Sequence, residues 1–154
     1  MDTAALKSSF LACLDRAKRF EDPYRHWLLD GVFPASAVTP LKTLPFPVPS
    51  LGGVSGKREV HNATRQYFDA TNNAKHGVCR SVSDVFQDAG VVAAIERVFG
   101  TKLGGTYVRV EYAQDTDGFW LEPHTDLGVK VFTMLLYLST DAQHSVLGDR
   151  KSVV

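Results

Sequence analysis

Apolar residues recur at helical spacing near the start of the chain. Residues 4–19 predict an amphipathic helix. Its apolar stripe consists of Leu6, Phe10, Cys13, Leu14 and Ala17. Asp2 or Thr3 can cap its beginning, and Pro23 lies just past its end. Cys13 is then a small buried hydrophobic residue.

Three later segments also show helical patterns, and two of them are strong. Residues 61–70 predict a short helix, and residues 82–88 and 90–99 predict two more, with Ser81 or Ser83 capping the first of this pair. The apolar face of the last helix consists of Val91, Ala94, Ile95, Val98 and Phe99. Gly100 is a natural stop for it.

Prolines cluster in one segment of the first third of the chain. Four of the seven lie in residues 40–49. Proline lacks an amide donor and restricts the residue before it, so we expect an extended surface segment rather than a helix or a central strand. Residues 26–33, before the prolines, predict a short strand or a turn-flanked apolar segment.

The pattern changes from helical spacing to alternation after Gly105. Residues 106–112 alternate like a half-buried strand, and residues 119–126 are typical of extended chain. Residues 131–138 form the most apolar run and predict a strand that is buried on both faces. Helices come first and strands second, which favours an α+β fold.

Composition and charge narrow the function classes. The 154 residues carry 17 basic and 17 acidic side chains, and the zero net charge argues against nucleic-acid binding. Two cysteines cannot form a disulfide framework, which favours a reduced, cytoplasmic location. We find neither a signal peptide nor an apolar run approaching the roughly 20 residues of a membrane span, so no membrane partner is expected.

The sharpest chemical feature is the segment from Glu122 to Asp126. His124 and Asp126 lie two positions apart in extended chain, where both side chains point to one face. An imidazole and a carboxylate side by side are two thirds of a two-histidine, one-carboxylate iron(II) site, although Mn, Co, Ni or Zn could bind the same donors. The alternative is a surface His and Asp in a turn, which the bare spacing does not exclude.

The apolar strand after this pair carries two hydroxyl groups on one face, those of Thr133 and Tyr137. They would suit a cavity that binds a polar co-substrate beside the metal. A structural role is equally open, because a buried tyrosine commonly bonds a neighbouring group.

Residues 105–139 resemble the 2-oxoglutarate/Fe(II)-dependent oxygenases, in particular their prolyl-hydroxylase-like bacterial members. The resemblance is carried by Leu121–Asp126 and by Phe132–Ser139. It implies helices packed on a double-stranded β-helix, or jelly roll, with Fe(II) and 2-oxoglutarate as cofactor and co-substrate. It also implies that His124 and Asp126 bind the iron. Tyr137, and less securely Tyr112, would contact 2-oxoglutarate, and Thr133 shares the face of Tyr137.

The chain also departs from the family pattern. A second iron-binding histidine and a later basic residue are needed, and neither His144 nor Arg150 or Lys151 stands in a suitable position. Residues 149–154 match the translation of a sequencing-adapter read. We therefore expect a single oxygenase domain over residues 1–148 that lacks its last strands, followed by a non-native tail, and an incomplete jelly-roll core.

The resemblance thus predicts a hydroxylating oxygenase that uses O2 and acts on a small-molecule or peptidyl substrate, inactive in this form of the chain. Two alternatives stay open. One is a non-enzymatic jelly-roll remnant or ligand-binding module, and the other is a metal-dependent cupin-type enzyme that does not use 2-oxoglutarate. The substrate and the oligomeric state are not readable from the sequence.

Overall fold

The computed structural model describes residues 2–50, 65–114 and 128–138. Helix α1 (Thr3–Leu14) opens the chain, and a hairpin of β1 (Lys18–Phe20) and β2 (His26–Leu28) follows it. The hairpin is antiparallel, with Arg19 opposite Trp27. Helix α2 (Ala35–Lys42) then leads into the prolines.

After the proline-rich segment, three consecutive helices lie between the two strands of a short antiparallel pair. Strand β3 (Gln66–Tyr67) precedes α3 (Ala70–Lys75), α4 (Gly77–Gln87) and α5 (Ala89–Phe99), and β4 (Glu111–Tyr112) pairs back onto β3. None of the helices in these described ranges is long and apolar enough to cross a membrane.

Among the described helices, α4 lies at the centre and contacts each of the other four. Its buried face includes Val78, Cys79, Val82 and Val85. Two buried serines on it make specific bonds. Ser81 accepts from the Thr3 hydroxyl at 3.0 Å, and Ser83 lies 3.3 Å from the Asn73 amide oxygen. These bonds offset the cost of burying the hydroxyls and fix α1 and α3 against α4.

Three aromatic rings connect the outer elements to this core. Trp27 of β2 meets Phe99 of α5 edge-on at 5.1 Å, and Phe132 stacks on Phe99, also at 5.1 Å. Phe10 of α1, fully buried, meets Phe86 of α4 edge-on at 5.1 Å. Offset and edge-to-face pairs of this kind are the favoured aromatic arrangements.

The helix ends follow from local chemistry. Asp2 accepts from the Ala4 and Ala5 amides, which confirms it as the cap of α1. Gly100 ends α5 in the left-handed conformation, φ +67°, as predicted. The Asp88 carboxylate caps α5 by accepting from the Val91 amide, and Lys7 pairs with it at 2.8 Å.

The expected jelly roll is wrong. The described residues form a helix-rich fold with two small two-stranded sheets. The reason lies in the core, whose buried apolar side chains come from the four longer helices and the turn at Val32 and Phe33, with none after Phe99 among the described residues. Helices therefore supply the packing that the sequence pattern assigned to strands.

Several element boundaries were also wrong. Helix α1 ends at Leu14 rather than residue 19, because the next residues turn into β1. Pro40 lies inside α2, not in extended chain. Ser81 and Ser83 lie within α4 rather than capping it, because that helix begins at Gly77.

The alternating segments form less strand than predicted. Of residues 61–70, the described part contains β3 and the start of α3 instead of one helix. Only Glu111 and Tyr112 of residues 106–112 pair as strand. Residues 131–138 alternate in exposure but are not buried on both faces, because only the even-numbered side chains pack on the helical core.

We predict that Phe10→Ala lowers the free energy of unfolding by about 3–5 kcal/mol, because a fully buried ring in contact with Phe86 is replaced by a cavity. Urea denaturation measures the change. Leu28→Ala is the control, since Leu28 is 58% exposed and its loss should change stability by less than about 0.5 kcal/mol. Equal effects of the two substitutions would contradict this core.

A second prediction concerns pH. The hydrogen bond from Lys7, with the Val91 amide, lowers the pKa of Asp88 below its ordinary value. A lowered folded-state pKa contributes stability above about pH 4, and the contribution is lost as pH falls through the folded-state pKa. Asp88→Asn keeps a capping oxygen but removes the charge. The urea midpoints of wild type and variant should therefore differ most near neutral pH and converge in acid.

Lys7→Met removes the same ion pair from the other side. Its urea midpoint should also approach that of the wild type as the pH falls. A gap between wild type and Asp88→Asn that stays constant from pH 7 to pH 2 would show that the charge is not its source.

Candidate functional site

The predicted iron ligands, His124 and Asp126, lie outside the described residues. In the described ranges, no group of three or more His, Cys, Asp or Glu side chains is arranged to hold a metal ion. The metal site therefore stays a prediction from the sequence.

Thr133 and Tyr137 share the outward face of residues 131–138, as the alternation predicts. Tyr137 is 63% exposed, and Thr133 is exposed as well. The opposite face carries Phe132, which stacks on Phe99 of α5 and fixes the segment to the core. Four residues of extended chain span about 13 Å, so one small carboxylate can reach one of the two hydroxyls but not both.

Tyr112 lies elsewhere, half-buried on β4 against the end of α2. Its hydroxyl donates to the Leu41 carbonyl at 3.0 Å. Its ring meets Phe46 edge-on at 5.4 Å and stacks on Phe68 at 6.4 Å. The hydroxyl proton is thus already used, and Tyr112 would have to give up Leu41 before it could donate to a co-substrate.

Burial, and then the neighbouring Cys79 thiol, raise the pKa of Tyr112 above its ordinary value. Burial also raises the pKa of Cys79 to about 11 and raises that of Cys13. Both thiols therefore stay protonated at neutral pH and are poor nucleophiles and metal ligands. This agrees with the prediction that Cys13 is a small core residue.

An open groove of about 400 Å³ lies beside Tyr112, between α2 and the junction of α3 and α4. The residues lining it are Pro40, Thr43, Leu44, Pro45, Lys75, His76, Gly77 and Val78. The ring of His76, one of these lining residues, meets Phe46 edge-on at 5.6 Å, and Phe46 in turn meets Tyr112. The groove combines apolar walls with the ammonium of Lys75 and the imidazole of His76.

Sequence reasoning missed this region. The residues that line it come from two separate stretches of chain, 40–45 and 75–78, and only the prolines of the first stretch were singled out. Gln114 follows Tyr112 by two positions, and its side-chain amide donates to the carbonyls of Phe46 at 3.4 Å and Pro47 at 3.3 Å. The i, i+2 spacing of Tyr112, which ends β4, and Gln114, which lies just past it, was a visible signal that their side chains could lie on one face of the chain.

A charged cluster occupies the β3–β4 pair. Glu111 binds Arg65 and Arg109, and the Arg109 guanidinium lies 5.7 Å from the centre of the Tyr67 ring. Glu111 thereby joins the two strands through their side chains as well as their backbones. The cluster is internally paired, so it explains strand pairing rather than ligand binding.

We predict that Tyr112→Phe lowers the free energy of unfolding at pH 7 by about 1 kcal/mol, because the bond to Leu41 is lost. Because the folded-state pKa of Tyr112 is raised, its hydroxyl contributes stability below about pH 10. That contribution is lost as the pH rises through the folded-state pKa. The variant should therefore lose less stability than the wild type above pH 10, measured by urea denaturation. Tyr107→Phe, at a position 88% exposed, should change neither quantity.

Comparison with known proteins gives no match. No protein-family model matches the chain. No curated protein and no solved structure matches it either.

Proposed function

We propose that this chain belongs to an Fe(II)- and 2-oxoglutarate-dependent oxygenase in which His124 and Asp126 bind the metal. The observation that carries the proposal is their spacing in the sequence, an imidazole and a carboxylate two positions apart directly before a long extended segment. The proposal concerns the ligand chemistry of residues 124–137. It does not include the jelly-roll core, because the described residues form a helix-rich fold instead.

The donors suit the metal. A neutral imidazole and a carboxylate are characteristic ligands of non-haem iron(II), and a site made of few protein ligands leaves positions open for a co-substrate and O2. When bound, the iron would supply the activation of O2 that hydroxylation needs. The two buried thiols are protonated and do not compete for it.

The described residues support a role for residues 131–138, which follow the predicted metal ligands, in binding the co-substrate. Phe132 fixes that segment to α5 by ring stacking, and Met134, Leu136 and Leu138 pack on the core. The opposite face is then directed away from the helices, with the hydroxyl of Tyr137 exposed on it. A hydroxyl in this position can donate to the far carboxylate of 2-oxoglutarate.

Tyr137 is the better candidate of the two tyrosines. The hydroxyl of Tyr112 donates to Leu41, and its ring lies between Phe46 and Phe68. A co-substrate carboxylate at Tyr112 would have to replace a bond that closes the last turn of α2. The side chain of Tyr137 lies on the outward face, so binding a co-substrate there would not break a contact with the helical core.

A second candidate function is a ligand-binding module without catalysis. The groove between α2 and α3–α4 favours it, because its size and its mixture of apolar walls with Lys75 and His76 suit a small ligand bearing a negative charge. This candidate needs neither His124 nor Asp126.

We predict that anaerobic addition of Fe(II) and then 2-oxoglutarate to the protein produces a visible metal-to-ligand charge-transfer band. His124→Ala should abolish the band, because one of the metal donors is removed. His26→Ala is the matched control and should leave it intact, since His26 lies in the β1–β2 hairpin with its ring against Phe20. Tyr137→Phe should weaken 2-oxoglutarate binding about tenfold, the cost of one charge-assisted hydrogen bond.

The outcomes separate the candidates. No band, or a band unchanged in His124→Ala, would reject the oxygenase. Metal-dependent activity that persists without 2-oxoglutarate would favour a cupin-type enzyme. Binding of a small anion without any metal dependence would favour the ligand-binding module.

A further inference from the structure

The outward face of residues 131–138, together with the turn just before it, carries a run of exposed apolar side chains. Nine large hydrophobic side chains are exposed in the described residues, and four of them lie in this one stretch, where they are 54–85% exposed. A single threonine interrupts them. The members, here called the apolar strip, are Val129, Val131, Thr133, Leu135 and Tyr137. A contiguous apolar run of this kind on a folded surface marks a site of association.

The apolar strip rests on a fixed base. On the opposite side of the same segment, Phe132 stacks on Phe99 at 5.1 Å, with 30° between the two rings. The other inward side chains, which pack against the buried core, are Met134, Leu136 and Leu138. These contacts hold the outward side chains in place in the single chain. A surface that is organised in advance loses less conformational entropy when it binds.

The charge of the chain favours a second copy as the partner. No member of the apolar strip is charged, and Lys130, the one charged residue in this stretch, is less exposed than its two neighbours. The 17 basic and 17 acidic side chains of the whole chain balance. Two copies therefore do not repel each other through their net charge. An uncharged strip fits a surface of the same polarity, and a second copy carries one.

The apolar strip is also large enough for a specific contact. An exposed side chain of this size offers on the order of 100 Å². The five side chains of two copies would therefore bury about 1,000 Å² in total, which is near the lower limit for a specific protein interface. An interface of this size supports a weak dimer rather than a permanent one.

We propose that the chain forms a two-fold symmetric dimer in which the apolar strips of two copies pack face to face and antiparallel. A two-fold axis at Thr133 places Val131 of each copy against Leu135 of the other, and Val129 against Tyr137. This register sets each smaller side chain against a larger one. It also keeps the threonine opposite its counterpart rather than opposite a leucine, so its hydroxyl is not buried against an aliphatic side chain.

Sedimentation velocity over a concentration series tests the dimer, which needs neither the iron ligands nor 2-oxoglutarate and is therefore independent of the oxygenase proposal. The wild-type chain should dimerise reversibly, with a dissociation constant on the order of 10 µM. Leu135→Glu should weaken dimerisation about tenfold or more, because it places an unpaired charge in each strip. Leu28→Glu is the matched control and should leave the dimer unchanged, since Leu28 lies on β2 and is exposed to a similar degree, 58% against 55%.

A charge exchange tests the register. Val131→Lys and Leu135→Glu should each suppress the self-association of their own chain. When the two variants are mixed, the introduced ammonium and carboxylate face each other across the axis, while the second pair of positions stays apolar. A mixed dimer should therefore form. Both positions are exposed, so the helical core should keep its stability, which urea denaturation checks.

Four results would overturn the proposal. The first is a wild-type chain that stays monomeric up to millimolar concentration. The second is an equal loss of self-association in Leu135→Glu and Leu28→Glu, because nonspecific apolar aggregation would then be the cause. Assemblies that grow beyond two copies would exclude a closed two-fold contact. Failure of the two mixed variants to associate would exclude the antiparallel pairing of the strips.

Discussion

The structure depends on the burial of helix α4 among its four neighbours. Its apolar side chains lie in the interior, and its two buried serines bond outward to Thr3 and Asn73. A helix with one wide apolar face cannot stay in water, and most of its stability comes from the surfaces that cover that face. Those surfaces come from helices α1, α2, α3 and α5, so the order of elements around α4 decides where the other described segments lie.

The elements that sequence could predict are those with strong local signals. The periodicity of α5, its glycine stop and the Asp2 cap of α1 are all properties of a few neighbouring residues, and the structure has them. Pro40 in α2 shows the limit of such reasoning. Proline removes one amide, but burial of Ala37 and Leu41 on the same helix favours continuing it. Tertiary packing thus decided a boundary that local chemistry left unfavourable.

The strand predictions failed for a different reason. Alternation tells which side chains share a face, and residues 131–138 do alternate in exposure. It does not tell whether another strand pairs with the segment, because that partner is distant in sequence. In the described residues the inner face of this segment rests on helices, through Phe132 and Phe99, and helical packing needs no ladder of backbone bonds. The pattern therefore predicted which side chains share a face, but it was wrong about burial of both faces and about the fold.

The candidate site shows the same division between local and distant information. His124 and Asp126 are close in sequence, so their pairing could be proposed from the chain alone. The contacts of Phe46 could not, because His76, Tyr112 and Gln114 are far from it in sequence and meet it only in the folded chain. Tyr112 is both a predicted contact of 2-oxoglutarate and a neighbour of Phe46 in the structure. A hydroxyl bonded to Leu41 and a ring held between two phenylalanines brace the end of α2 against β4. The same residue cannot fully serve that brace and a co-substrate at once, so the proposed metal chemistry would need its hydroxyl from the outward face of residues 131–138, where Tyr137 lies.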